Sequence, residues 1–195
     1  MSYLGGEPIE SIGGLPQAER DRVGGLLFRL LFREIFEFRL VQTDANFANY
    51  RYDCATRQVI LLDFGATRAY SSAMVDAYRQ LLIGGMRADR PAMNAAASAI
   101  GYFQAQIPEQ QRQAVLDIFC LACEPLRHIG PYDFGSSDLA ARVRDAALIL
   151  GRQRDFRHTP PAAALFLHRK LGGLYLLARK LRARVDVRQL AGDAL

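Results

Sequence analysis

The stretch Val41-Gln42-Thr43-Asp44-Ala45-Asn46-Phe47-Ala48-Asn49, followed after a short interval by Leu61-Leu62-Asp63-Phe64-Gly65, decides the fold. Upstream of it, Pro16 before Gln17-Ala18-Glu19-Arg20 marks a helix start, with proline and an acid in the first turn. Val23, Leu26, Leu27, Leu30, Leu31, Ile35 and Phe38 then recur at helical spacing over a wide apolar face. Such a face belongs to a buried helix, here ending near Leu40. Residues 49–52 and 58–62 read as strands, and Asp53-Cys54-Ala55-Thr56-Arg57 between them is turn-rich, so a β-hairpin is predicted. Asp44, Asn46 and Asn49 therefore stand in a polar loop between a buried helix and a hairpin, and Asp63 stands at the hairpin's exit. The plain structural alternative is that these side chains only satisfy backbone groups in a tight loop.

Beyond the hairpin the pattern is helical almost throughout. Ser71 or Ser72 caps a helix running to about Ala88, and Pro91 starts another. Further helices are expected over 108–124, 137–151, 161–184 and 187–194, with breakers at Gly130-Pro131 and Thr159-Pro160-Pro161. The expected fold class is mainly α with a small β-hairpin, in one compact unit. A second Asp133-Phe134-Gly135 follows a Gly-Pro-Tyr loop, with no strand and no preceding Asp/Asn pair, and reads as a turn between helices.

The 195 residues suit one domain, and half of them are hydrophobic. No apolar run reaches the roughly 18 residues of a membrane span; residues 26–38 come nearest but contain Arg29, Arg33, Glu34 and Glu37. The N-terminus lacks a basic start with an apolar core, so no signal peptide is read. An intracellular location is expected, cytoplasmic or peripheral to the inner membrane in a bacterium. The formal charge is +5, and Lys170 and Lys180 are the only lysines. Most arginines are interspersed with acids, as on solvated helix faces. Arg169, Lys170, Arg179, Lys180, Arg182, Arg184 and Arg188 are the exception. They suit either contact with acidic lipid or a partner, or the solvent side of a terminal helix. Aromatics for base stacking are missing there, so nucleic acid is not expected. Cys120 and Cys123 have no second ligand pair for zinc and read as buried helix-face cysteines. His128, His158 and His168 are widely separated and read as structural.

The order of buried helix, Asp44–Asn49 loop, hairpin and Asp63-Phe64-Gly65 resembles the catalytic core of protein kinases. More closely, Gln42 to Asn49 and Leu61-Leu62-Asp63-Phe64-Gly65-Ala66-Thr67-Arg68 resemble the AarF/UbiB atypical kinase-like family. Arg33-Glu34-Ile35-Phe36-Glu37-Phe38, Tyr132 to Gly135 and Leu167-His168-Arg169-Lys170-Leu171-Gly172-Gly173 support the same resemblance. It implies the C-terminal lobe of a kinase-like α+β fold, with magnesium-dependent ATP binding and hydrolysis in support of ubiquinone (coenzyme Q) biosynthesis. It implies Asp44 as the catalytic residue, Asn46, Asn49 and Asp63 as cofactor-binding, and Asn49 and Asp63 as the magnesium ligands. Ala45 departs from the family's usual proline but removes no ligand. Tyr3-Leu4-Gly5-Gly6-Glu7-Pro8-Ile9 resembles the hinge between lobes, so residues 1–12 are expected as a hinge remnant and 13–195 as the C-lobe. The N-lobe's lysine, its glutamate and its phosphate-covering loop find no counterpart in the sequence, so weak or absent activity of the chain alone is expected. The alternative expectation is a non-catalytic binding or regulatory module that pairs with another chain, or with an N-lobe, through the exposed face.

Overall fold

The computed structural model describes residues 5–44, 46–103, 107–152 and 160–195. Strand β1 (Glu7–Pro8) leads through a 3-10 turn (Ile9–Gly14) into the long helix α1 (Gln17–Phe36). Strand β2 (Leu40–Gln42) follows, then the hairpin of β3 (Tyr50–Asp53) and β4 (Gln58–Leu61), and then β5 (Thr67–Ala69). Helices α2 (Ser72–Arg87), α3 (Arg90–Ala99), α4 (Glu109–Ala122) and the short α5 (Glu124–Arg127) come next. Strand β6 (Tyr132–Asp133), helices α6 (Leu139–Gly151) and α7 (Ala162–Lys180), strand β7 (Arg184–Val185) and α8 (Val187–Ala194) complete the chain.

The predicted hairpin forms, with Tyr50 opposite Leu61 and Asp53 opposite Gln58. Strand β1 adds to its other edge, Glu7 facing Tyr52 and Pro8 facing Arg51. Of the stretch read as a hinge, residues 1–4 lie outside the described residues. Glu7–Pro8 belongs to this three-stranded sheet, and Ile9 and Ile12 are fully buried. Local chemistry sets several helix starts. Ser71 accepts from the Met74 amide (3.3 Å), Asp89 from the Ala92 amide (3.0 Å) and Asp186 from the Gln189 amide (2.9 Å), each satisfying a donor the helix leaves free.

Two boundaries differ from the sequence reading, for one physical reason. The first helix stops at Phe36 because Arg39 takes a left-handed φ of 54°, which throws the chain into β2. Likewise α7 stops at Lys180 rather than near residue 184. Arg182 turns at φ 51°, and Arg184–Val185 becomes a strand. That strand pairs antiparallel with β6, Tyr132 facing Val185, so the second Asp-Phe-Gly does follow a strand, contrary to the reading of a bare turn. Hydrophobic periodicity cannot register a two-residue strand.

Helix α1 is the axis of the core. Its Val23, Leu27, Phe28, Leu31 and Ile35 are buried against α8, β7, β2 and α7. Phe28 stacks on Phe134 at 5.2 Å between centroids, and Tyr175 closes the group at 6.0 Å from Phe28 and 5.5 Å from Phe134. Cys123 is buried at the end of α4, and burial pushes its thiol up to about 12. The basic C-terminal stretch divides. Arg169, Arg179, Lys180, Arg182, Arg184 and Arg188 are exposed, whereas Lys170 is buried in the core. No helix among the described residues is long and apolar enough to cross a membrane. His158 and Thr159 lie outside the described residues.

Candidate functional site

The site is assembled where the small strands meet the C-terminal part of α1 and the middle of α7. Strand β2 runs antiparallel to β5, Val41 facing Arg68 and Gln42 facing Thr67. The loop that follows β2 and the turn that precedes β5 are thereby brought side by side. The hairpin sits between them in sequence and beside them in space. Leu62, at its exit, donates its amide to the Asn49 carbonyl at 3.0 Å. The strand register therefore carries Asp63 to Asn49.

Within the loop every polar side chain has a defined task. Asp44 is half-buried, and its Oδ2 accepts from Asn49 Nδ2 at 2.8 Å. Its Oδ1 accepts from the Asn46 amide at 3.2 Å, and Arg169 of α7 lies 3.9 Å from the same oxygen. The Asn46 side chain accepts from the Ala48 amide at 3.0 Å and so caps the 3-10 turn Phe47–Asn49. Its oxygen shapes the loop. Since Asn49 spends its nitrogen on Asp44, its amide oxygen is the atom left to bind a cation. Ala45 lies outside the described residues.

The Asp63 turn is held from both sides. Asp63 Oδ1 accepts from the Gly65 amide at 2.7 Å, and the Asp63 carbonyl accepts from Gln42 Nε2 at 3.2 Å. The Ala66 carbonyl accepts from both the amide (3.2 Å) and the hydroxyl (2.7 Å) of Thr43. Asn49 and Asp63 line one hollow with Glu34, Gln42, Tyr50, Leu61 and Phe64. The donor chemistry of this hollow fits magnesium. A carboxylate and an amide oxygen are hard donors, and magnesium ordinarily takes one or two protein ligands, leaving the rest to phosphates and water.

Asp44, Asn46 and Asn49 are thus joined by hydrogen bonds in one loop, and Asn49 and Asp63 line the same hollow. Asp133 is not part of this group. It caps the Gly135 amide at 2.9 Å and pairs with Arg184, while Phe134 is buried in the core. The sequence reading missed the layer beneath the site, made of Glu34, Gln42 and Lys170, all at least nine-tenths buried. Two signals for it were present. Glu34 interrupts the apolar run of α1, and Lys170 is one of only two lysines in an arginine-rich chain.

Comparison with known proteins places this arrangement. The ABC1 atypical kinase-like domain matches residues 1–97. The mitochondrial atypical kinase COQ8B of Rattus norvegicus is 34% identical over 193 residues, 99% of this chain and 36% of that protein. The mitochondrial atypical kinase COQ8 of Schizosaccharomyces pombe is 33% identical over 182 residues, 92% of this chain and 29% of that protein. This chain belongs to the AarF/UbiB (ABC1) atypical kinase-like family. It spans about a third of the length of these curated relatives. A solved structure of Rv3197 of Mycobacterium tuberculosis, in complex with erythromycin, superposes with a TM-score of 0.68 at 16% identity, over all of this chain and 48% of that one. At that identity the likeness is one of fold, and the fold is the kinase-like one to which the family's motif order belongs.

Proposed function

We propose that this chain carries the C-lobe half of a magnesium-dependent ATP site in an atypical kinase that supports ubiquinone biosynthesis. The observation that carries the reading is the Asn49–Asp44 hydrogen bond at 2.8 Å. It commits the Asn49 nitrogen to Asp44 and leaves the amide oxygen as the acceptor, on a residue that lines one hollow with Asp63. Asn49 and Asp63 would hold the ion, and magnesium bound with the phosphates supplies neutralisation of the charge on the transferred group. Asp44 is oriented by two hydrogen bonds yet keeps lone pairs free to accept a proton from an attacking hydroxyl or water. The Asp63 turn is preorganised by Gln42 and Thr43, so little reorganisation is needed on binding. In a kinase-like site a second lobe covers the phosphates and contributes a lysine, so full activity requires that lobe. Leu62 and Phe64, 41% and 58% exposed on either side of Asp63, favour this face as the place where a covering lobe or another chain packs.

The test is binding of Mn2+, a spectroscopic stand-in for magnesium, with ADP, followed by electron paramagnetic resonance on the chain and its Asp63→Asn variant. The wild type is expected to take up the ion with weak affinity, and the variant to lose about tenfold or more. An Asp63→Asn variant that binds Mn2+–ADP as well as the wild type would overturn the reading.

A further inference from the structure

Beneath the loop and the turn lies a buried polar cluster that the proposed chemistry does not use directly. Lys170 projects from α7 into the core. Its ammonium donates to the Tyr50 hydroxyl at 2.7 Å and to Gln42 Oε1 at 3.4 Å, and lies 3.5 Å from Glu34 Oε2 on α1. Among the described residues Glu34 Oε2 has no hydrogen bond of its own, so Lys170 is its compensation. A buried ion pair contributes little net stability and is often replaceable by apolar residues of like volume. This cluster does something an apolar one would not.

An ammonium can only donate, so whichever end of the Gln42 amide faces Lys170 must be its oxygen. That leaves Gln42 Nε2 directed at the Asp63 carbonyl, where it donates at 3.2 Å. The same ammonium fixes the hydroxyl of Tyr50, the residue next to Asn49. One buried charge therefore orients one neighbour of each proposed ion ligand. Its counter-charge comes from α1, and all three side chains are at least nine-tenths buried.

We propose that Lys170 and Glu34 are a positioning pair for the metal site, setting the Asp63 turn through Gln42 and the Asn49 loop through Tyr50. The proposal rests on the magnesium–nucleotide reading above and adds the means by which α7 controls it. Lys170 does not line the hollow, and Glu34, which borders it, turns its Oε2 to Lys170. Lys170 supplies the polarity that selects one amide orientation of Gln42, and Glu34 makes the buried ammonium tolerable. Outer partners of this kind commonly change metal affinity by about 10- to 100-fold when removed.

The test compares the full chain with four variants: Lys170→Met, the charge-neutral double Glu34→Gln/Lys170→Met, Gln42→Met and Asp63→Asn. Mn2+–ADP affinity is measured for each, and amide hydrogen exchange is followed without ligand. Lys170→Met, the double variant and Gln42→Met are expected to weaken Mn2+ by about tenfold or more. Gln42→Met, which keeps the ion pair, should speed exchange in residues 62–68 while leaving α4 at its wild-type rate. Should Lys170→Met be too unstable to study, the double and Gln42→Met variants decide the question, since neither strands a buried charge. Wild-type Mn2+ affinity in these variants, beside its loss in Asp63→Asn, would overturn the positioning role and leave the site standing. In Gln42→Met, faster exchange in α4 and residues 62–68 alike would reduce the cluster to a structural one and also overturn the proposal. Unchanged affinity in Asp63→Asn would instead remove the metal site and the positioning role together.

Discussion

His168 lies on α7 among Tyr78, Tyr102 and Phe119, with ring centroids 6.2, 5.6 and 5.5 Å away. Desolvation in this aromatic box lowers its pKa to about 4. The unfolded chain titrates its histidines near 6.5. Between those values the unfolded state binds a proton that the folded state refuses, so stability falls as the pH drops from about 6.5 to 4. Above 6.5 both states are neutral and the residue contributes no slope. The fall amounts to at most about 1.4 kcal/mol per pH unit. In urea unfolding at pH 7 and pH 5, a His168→Phe variant is expected to lose a large part of the midpoint difference shown by the wild type. The two Asp-Phe-Gly copies make a second point at this scale. Asp63 and Asp133 each accept from the glycine amide two residues on, at 2.7 and 2.9 Å. The local turn is therefore the same. Phe134 is 2% exposed and Phe64 58%, so the surroundings alone separate the copy in the core from the copy in the site.

Two adjacent glycines on α1 show how an element is fitted to its neighbours. A Cβ on Gly24 would stand 2.8 Å from Ala183 Cβ and 2.9 Å from Val185 Cγ2, where α1 passes under β7. A Cβ on Gly25 would meet nothing within 4 Å. Gly24→Ala is expected to cost about 1–3 kcal/mol by overpacking. Gly25→Ala should stabilise by about 0.5–1 kcal/mol, because alanine loses less backbone freedom in a helix. Opposite shifts in thermal midpoint for two neighbouring substitutions would check the α1–β7 packing. The ends of the elements carry the same lesson. Arg39 and Arg182 both adopt positive φ without being glycine, at 54° and 51°. Nothing in their side chains announces it, so the strand after Arg39 was read as helix end and loop, and the start of the strand after Arg182 as helix.

Across the whole molecule, Lys170 and Glu34 tie the longest helices, α1 and α7, to the strands that carry the site. Removing one charge leaves the other buried, and Lys170→Met is expected to cost about 3–5 kcal/mol in urea unfolding at neutral pH. The double variant Glu34→Gln/Lys170→Met should recover a large share of that loss, since no unpaired charge remains. Equal destabilisation of the single and double variants would show that the ion pair is not what the core depends upon. The order of buried helix, loop, hairpin and Asp63 was legible in the sequence. Apolar periodicity, turn residues and the Asp44–Asn49 spacing are local signals, and with the resemblance they suffice to name the four polar residues proposed for the site. The cap at Ser71 and a helix start beside Pro91 were legible for the same reason. Contacts between distant segments were not. Lys170 read as one more residue of a basic terminal stretch, because its spacing and charge resemble those of exposed neighbours such as Arg169. Only packing α7 against α1 encloses that ammonium, and only the β2–β5 register points Gln42 at Asp63. By itself the sequence determined which residues are proposed as ligands and proton acceptor. The tertiary structure decided which buried groups hold them, because burial and hydrogen-bond polarity arise only when segments more than a hundred residues apart are brought into contact.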